Sequence, residues 1–545
     1  MRILFLFLLS SITTSFFAQK TEVPKLVVGI VVDQMTYEYL YRYENKFSKN
    51  GFLKLMNKGA NCSNTTYNYV PTYTGPGHAS IYTGTTPSDH GIVSNDWFDR
   101  STNQEIYCVD DSLQSPIGTS AKDGKKSPHR LKSYTITDQL KLTYPNAKVF
   151  SASIKDRSSI LPGGHLSDGS YWYDYTSGRF ITSSFFKQSL PAWIEQFNGK
   201  KYVDESLTKT WETMLPIEQY IESEKDNSPY EVILPGKQSP VFPYNLAEIA
   251  KLTNPYELFV NTPYANTYLT DFAIEAISNE NLGEDAQVDM LCVSYSTPDY
   301  VGHAFGPKSV EIEDIYIRLD LEIARLMKAL DEKVGKNQYV IFLTADHAVV
   351  PVPQMLVDKK MPGGYFFTAD KMLALRDKVK KKFGTDLISE MIDQNIYLNH
   401  ALIKEKNLSR LEVADYVADE FQQLENVKAA FTFQELEGEG TINQWHAMVK
   451  NGYHPKENGD VVFILEPGYL PKEKDKESAH RGTSHGSAWG YDTHVPLLWY
   501  GKGILKQEVM RSIDITDIAA TLVRILRVQK MGAMTGEPIL EVMTK

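Results

Sequence analysis

The sequence predicts an α/β fold: a largely parallel central sheet with helices on both faces and inserted cap segments. Three observations predict it. Short β-branched apolar runs alternate with longer stretches of helical periodicity. The apolar runs are continuous, as in strands buried on both faces. Three of them end in, or just before, an aspartate, as expected of side chains gathered at the carboxyl rim of an open sheet. The chain has 545 residues, 42% hydrophobic and 23% charged, which supports a large core and argues against disorder. No internal repeat is evident. Composition divides the chain into a leader over 1–18 and one core domain over 19–545, with insertions at about 165–245 and 352–480.

The elements follow in chain order. Arg2 and the apolar stretch Ile3 to Phe17, with Ala18-Gln19 as the cleavage point, read as a secretory signal, so an exported protein, periplasmic or secreted, is expected. No other uncharged stretch reaches the roughly 18 apolar residues of a spanning helix, and no membrane anchor is expected. Lys25 to Asp33 is a buried strand, and a helix is expected over 37–57. Lys148 to Ile154 is a strand followed directly by Lys155 and Arg157. The stretch 165–245, rich in Tyr, Ser, Pro and Lys, shows no strong core strand. A helix over 264–280 precedes a strand at Val288 to Ser296, with Asp299 just past its end. A helix over 310–333 precedes the strand Gln338 to Asp346. Helices at 369–383 and 410–425 belong to the second insertion. The chain returns to a strand at Val495-Pro-Leu-Leu-Trp-Tyr and closes with a helix over 514–527.

Net charge is −11, with no long Lys/Arg run to offset it, which excludes a nucleic-acid or anionic-membrane binder. Three cysteines cannot build a disulfide framework. Cys292 lies inside an apolar run and reads as core; pairing of Cys62 with Cys108 stays open.

Asp33, Asp299 and Asp346 each read alone as a helix cap. Together, and with histidine companions, they read as ligands. His303 follows Asp299 at the four-residue spacing that brings two side chains together on a helix. His347 is adjacent to Asp346, and His485 sits among small residues in Gly482-Thr-Ser-His-Gly486. Carboxylate plus neutral imidazole is the ligand mix of catalytic Zn²⁺, and three Asp with three His suffice for two ions with open positions. Thr74 precedes Gly-Pro-Gly and a helical pattern, the place of an N-cap. The same place exposes a hydroxyl to any anion held by the helix start, where a metal could activate it as a nucleophile. Thr72, before the turn, and Ser80, inside the helix, are weaker candidates. Lys155 and Arg157 read either as a solvated turn or, at i and i+2 past a strand, as a pair pointing to one side. Asn95 alone reads as a turn residue.

In order and spacing, Val31-Val-Asp-Gln-Met35, Thr74-Gly-Pro-Gly-His78, His90-Gly-Ile-Val-Ser-Asn-Asp-Trp97, Lys155-Asp-Arg157, Asp299-Tyr-Val-Gly-His303, Ala345-Asp-His347, Gly482-Thr-Ser-His485 and His494-Val-Pro-Leu resemble the alkaline phosphatase superfamily. The resemblance runs over nearly all of the mature chain. It is strongest to the phosphate-irrepressible bacterial branch with a threonine nucleophile. It implies that Asp299, His303 and His485 hold one Zn²⁺, and that Asp33, Asp346, His347 and the Thr74 oxygen hold a second. It implies that Asn95, Lys155 and Arg157 hold the phosphoryl oxygens of a monoester that passes through a phosphothreonine. Ala348 departs from the family, which usually has Gly there. His78, His90 and His494 fall in family motifs but read as structural or supporting residues. The expected protein is a monomeric phosphate monoester hydrolase with two Zn²⁺. A phosphodiesterase or nucleotide pyrophosphatase on the same fold is the rival, and an exported binding protein without catalysis is a second alternative. A sulfatase is disfavoured because no Cys-x-Pro-x-Arg segment exists.

Overall fold

Strand β1 (Leu26–Val32) is buried at every position and stands in the middle of a ten-stranded sheet. The protein is seen in a computed structural model that describes residues 23–544; the expected secretory segment lies outside the described residues. The other strands are β2 (Ala60–Cys62), β3 (Pro116–Ile117), β4 (Val149–Ser153), β5 (Gly169–Asp174), β6 (Arg179–Ser183), β7 (Asp289–Tyr295), β8 (Tyr339–Thr344), β9 (Leu497–Gly501) and β10 (Gln507–Val509). Their order across the sheet is β10-β2-β9-β8-β1-β7-β4-β5-β6-β3. The five central strands β8, β1, β7, β4 and β5 are parallel. Beyond them β9 and β6 run antiparallel to their neighbours, so the whole sheet is mixed.

Register places the site. Val31 pairs with Ser294 and with Thr344, and Ser294 pairs with Ser153. These strands therefore end level, and the residues that follow them share one rim. One face of the sheet carries Gly29, Cys292 and Ser151 in register. It is covered by α1 (Thr74–Thr83) and α2 (Asp156–Gly163). A Cβ on Gly29 would lie 2.4 Å from the Tyr82 hydroxyl, so the glycine is what lets α1 sit this close. The opposite face is covered by α3 (Pro263–Asn279), whose Phe272 ring packs 6.0 Å from that of Phe150. Helices α4 (Thr297–Phe305) and α5 (Val310–Leu330) complete that layer.

Several expectations are corrected. The helix expected over 37–57 is broken into Tyr39–Arg42, a 3-10 turn at Glu44–Lys46 and Phe52–Lys58. The cause is Asp320 on α5, whose carboxylate accepts from Ser48 N and Phe52 N, both at 2.7 Å, and so starts a new helix at Phe52. The stretch from 165 does carry core strands: β5 and β6 both join the main sheet. Two of the aromatic residues there are buried bodies with partnered tips, Trp172 Nε1 donating to Asp123 O at 2.9 Å and the Tyr173 hydroxyl to Tyr256 O at 3.1 Å, whereas the buried Tyr171 hydroxyl has no hydrogen-bond partner. The closing helix is shorter, Asp517–Leu526, because Ile513–Asp514 is a strand. All three cysteines are free and buried.

A second unit over 364–472 has its own four-stranded antiparallel sheet, in the order Ile388–Ile392, Asn395–Leu398, Val461–Leu465, Val427–Thr432. Helices Thr368–Phe383 and Arg410–Gln422 cover it, and residues such as Phe366, Val417, Phe421 and Phe463 form a core separate from that of the main sheet.

Candidate metal and phosphate site

Each acidic residue arrives at the rim by a different route. Asp33 follows β1, Asp346 follows β8, and Asp299 lies in the first turn of α4 after β7. No helix begins at Asp33 or Asp346, so capping does not explain these two residues. On α4 the four-residue spacing sets His303 Nε2 3.1 Å from Asp299 Oδ1. His485 comes from the loop that folds onto α4, where Thr483 N donates to His303 O at 3.0 Å. Its Nε2 lies 3.7 Å from Asp299 Oδ1. His347 Nε2 lies 3.4 Å from Asp33 Oδ1 and 3.7 Å from Asp346 Oδ2, and its ring stacks on that of His485 at 3.5 Å. Two sets, Asp299/His347/His485 and Asp33/Asp346/His347, each offer ligand atoms within 4.8 Å of one another.

These residues fit metal ions. The Nδ1 atoms of His303, His347 and His485 face the carbonyls of Thr483, Ala348 and Thr72 at 2.8, 2.9 and 2.8 Å. A carbonyl only accepts, so each Nδ1 carries the proton and Nε2 turns to the carboxylates. Burial holds His347 neutral, down to about 3, and holds His485 well below the usual range. Their Nε2 lone pairs then face carboxylates that, once ionised, only accept. Asp33 Oδ1 and Asp346 Oδ2 are buried with no hydrogen-bond partner. Lone pairs aimed at lone pairs in a dry site call for a cation. Without a cation, burial raises Asp33 to about 6 despite Lys155, and raises Asp346 well above the usual range, with Asp33 adding to it. For Asp299 the burial effect is outweighed by His303 and Lys155, and it stays well below that range.

Thr74 is the first residue of α1, and the cap position expected for it belongs to Tyr73. Its hydroxyl is buried and caps nothing. It lies 3.5 Å from His347 Nε2 and 3.4 Å from Arg157 Nη2. Asn95 Oδ1 accepts from Gly75 N at 2.8 Å, which fixes its amide beside the start of α1. The Lys155 ammonium is buried and bridges Asp33 Oδ2 at 2.7 Å and Asp299 Oδ2 at 2.5 Å, rather than standing free at the rim. All ten residues singled out in the sequence thus meet in one place. His78 bonds Thr74 O at 2.9 Å and Ser294 Oγ at 2.8 Å, and His90 bonds Ser80 Oγ at 2.9 Å; both support α1 from inside. His494 bonds Ser63 O at 3.0 Å.

Sequence reasoning missed three residues. Gln34, at φ +62°, donates from Nε2 to Asp299 Oδ1 at 2.5 Å and from its backbone N to Asp346 Oδ1 at 3.3 Å. Asp156 and Tyr107 hold Arg157. Adjacency to Asp33, and the place between Lys155 and Arg157, were the only signals available for Gln34 and Asp156.

The fold and this rim define a member of the alkaline phosphatase superfamily. The family model for type I phosphodiesterase / nucleotide pyrophosphatase matches residues 27–489, and the chain belongs to that family, in the alkaline phosphatase branch that its full-length relatives represent. It is 40% identical to alkaline phosphatase PafA of Elizabethkingia meningoseptica, over 96% of each chain. It is 36% identical to alkaline phosphatase PhoV of Synechococcus elongatus, over 98% of this chain and 96% of that one. A relative of Myroides odoratus named a calcium-transporting ATPase is 40% identical over 96% of this chain and 95% of its own. The crystal structure of wild-type alkaline phosphatase PafA superposes with a TM-score of 0.91 at 39% identity, covering 96% of this chain and 99% of that one. Among the described residues, no helix is long and apolar enough to cross a membrane.

Proposed function

We propose that the protein is an exported phosphate monoester hydrolase that works through a phosphothreonine at Thr74 with two Zn²⁺ bound, one by Asp299, His303 and His485 and one by Asp33, Asp346, His347 and the Thr74 oxygen. One observation carries this reading: the uncapped Thr74 hydroxyl meets the Arg157 guanidinium at 3.4 Å against the paired Asp/His groups. When bound, such ions supply positive charge that lowers the pKa of the hydroxyl and stabilises the leaving oxygen. The chain's own residues do the rest. The Thr74 oxygen, its proton lost to solvent, bonds to phosphorus as the P–O bond to the in-line ester oxygen breaks, and that oxygen takes a proton from solvent to leave as the alcohol. Water then cleaves the phosphothreonine to release phosphate and restore the hydroxyl. Arg157 and Asn95 orient the equatorial oxygens, and Lys155 adds positive charge beside Asp33 and Asp299. We also read 19–545 as one catalytic domain, with the stretch near 352–480 inserted, and 1–18 as the export signal.

The family's diesterase members keep the second reading open. A diester replaces one charged oxygen with a neutral alkoxy group and gains less from two cations. The test is kcat/KM for p-nitrophenyl phosphate and its bis ester, in wild type, Thr74→Ala, Thr74→Ser and Lys155→Ala/Arg157→Ala. We expect Thr74→Ala to lose most activity and Thr74→Ser to retain it in part. The double variant should lose on the order of 10²–10⁴ in monoester rate and much less on the diester. Equal losses on both substrates would mean that Lys155 and Arg157 support the fold or bind phosphate generically, and the monoesterase reading would lose its main discriminator. Chelation should abolish turnover and Zn²⁺ restore it, with about two metals per active chain by elemental analysis.

A further inference from the structure

The second unit sends one turn into the site. Its strands Ile388–Ile392 and Asn395–Leu398 pair with Ile392 opposite Asn395, leaving Asp393 and Gln394 as a two-residue turn. Asp393 is at φ +52°, in the left-handed region that Asp tolerates. Such a turn ordinarily points at water. Here Asp393 Oδ2 accepts from Ser94 Oγ at 2.6 Å, and its charge, after burial, helps to raise the pKa of the Tyr73 phenol beside it. Gln394 is 7% exposed and donates from Nε2 to Gly486 O at 3.4 Å. Strand Ile388–Ile392 lies against Asp96–Asp99.

The three residues that the turn faces come from three remote parts of the chain. Each is the immediate neighbour of a residue of the site: Tyr73 of Thr74, Ser94 of Asn95, Gly486 of His485. The loops also lock onto one another beside the turn. The Tyr73 ring meets the His485 ring edge-on at 5.4 Å, and a Cβ on Gly486 would lie 2.6 Å from the Tyr73 ring. Gly486 N donates to Thr72 Oγ1 at 3.2 Å. The base of the turn is anchored in its own sheet, where Phe463 N donates to Gln394 O at 3.0 Å.

We propose that the Asp393-Gln394 turn is a positioning element for the phosphoryl-transfer site. It fixes the Thr74, Asn95 and His485 loops relative to one another, so that the second unit sets the geometry in which the hydroxyl meets the phosphoryl oxygens. Asp393 and Gln394 touch no reacting atom; they act through Tyr73, Ser94 and Gly486. The proposal rests on the phosphothreonine reading above.

A double-mutant cycle on kcat for p-nitrophenyl phosphate tests it, using Ser94→Ala, Asp393→Ala and the pair, with Gln394→Ala as an independent approach from the His485 side. A misplacement well under 1 Å is expected to lower kcat about tenfold in each variant, with KM and bound zinc near wild type. The Ser94/Asp393 pair should lose about tenfold, not a hundredfold, because both changes remove one contact. Asp393→Asn, which keeps an acceptor oxygen, should recover most of kcat. Additive losses in the cycle, or wild-type kcat in both Asp393→Ala and Gln394→Ala, would overturn the proposal. Thr74→Ala keeps the two levels apart. If it stays active, the underlying reading of the site fails; if it is inactive while the turn variants are unaffected, only the positioning role fails. Should Asp393→Ala not fold, Gln394→Ala and Ser94→Ala carry the same test without touching the strained residue.

Discussion

Arg157 is held from several sides by its own neighbours. Nη1 donates to the Tyr107 oxygen at 2.9 Å, and its backbone N donates to Asp156 Oδ1 at 2.6 Å. The Tyr107 hydroxyl in turn donates to Asp156 Oδ1 at 2.5 Å, and Lys126 Nζ lies 3.3 Å from Asp156 Oδ2. Burial alone would raise the Asp156 carboxyl, but Lys126 and Arg157 outweigh it and keep it ionised, below its ordinary range. A guanidinium fixed in this way loses little entropy on meeting a phosphoryl group. Tyr107→Phe removes the acceptor from Nη1 and frees the fork. We expect monoester kcat/KM to fall roughly tenfold, the value of one charged hydrogen bond near 1.5 kcal/mol, with a smaller fall on the bis ester. A tyrosine that only packs would leave the ratio of the two substrates unchanged, and that ratio is the measurement. The three Asp and three His were legible from sequence because strand ends and a helical four-residue repeat announce where a side chain goes. Tyr107, Gln34 and Asp393 were not, because what they touch is decided by remote loops: Asp393 meets Ser94 across 299 residues of chain.

At the scale of elements, helix α1 and the Asp346 loop fix the gap in which the chemistry sits. A Cβ on Gly77 would lie 2.3 Å from the backbone oxygen of Asp346, in the second turn of the helix that begins with Thr74. The obstructing atom is backbone, so neither side can swing away. Gly77→Ala therefore has to push α1 from the Asp346-His347 loop by roughly an ångström, which costs on the order of 10²-fold in kcat and about 1–3 kcal/mol of stability as overpacking. Steady-state kinetics with thermal melts checks both effects. Gly199→Ala, with nothing within 4 Å of the added Cβ, is the neutral control. Element types were readable wherever one principle decided them. The parallel strands β1, β7 and β8 are continuous apolar runs, and α3 and α5 keep a long apolar repeat. The prediction failed where a distant group intervened, as Asp320 does at Phe52. It failed too where burial came from aromatic residues with polar tips, as in β5, whose Gly-Ser-Tyr-Trp-Tyr-Asp is buried throughout.

For the molecule as a whole, a net charge of −11 coexists with a site built for anions, and the excess acid has to be stored somewhere. Part of it is buried. Glu231 and Glu311 are 2% and 0% exposed, and each has an Oε2 with no hydrogen-bond partner. The Tyr244 hydroxyl donates to Glu311 Oε1 at 2.5 Å. Asp226 and Glu224 add negative charge around Glu231, and Asp226 and Asp314 around Glu311. The nearby Lys237 ammonium is spent on the carbonyls of Val241 and Pro243. Burial first, then Glu311, pushes Glu231 up to about 10, and burial pushes Glu311 up to about 8. Both folded values exceed the ordinary glutamate value of 4.5. The folded state therefore holds protons that the unfolded chain has already released. The stability they contribute is intact below pH of about 4.5 and is lost as pH rises through about 8 and 10. The melting temperature of wild type should accordingly fall between pH 6 and pH 10. Glu231→Gln keeps the shape without the ionisation. It should flatten that slope, leaving the protein near wild type at pH 5 and more stable than wild type at pH 9, by several degrees at most for a chain of this size. Melts of the two proteins across this range at constant ionic strength decide it: parallel curves would mean that the pair is ionised at neutral pH and screened in a way that its burial does not suggest.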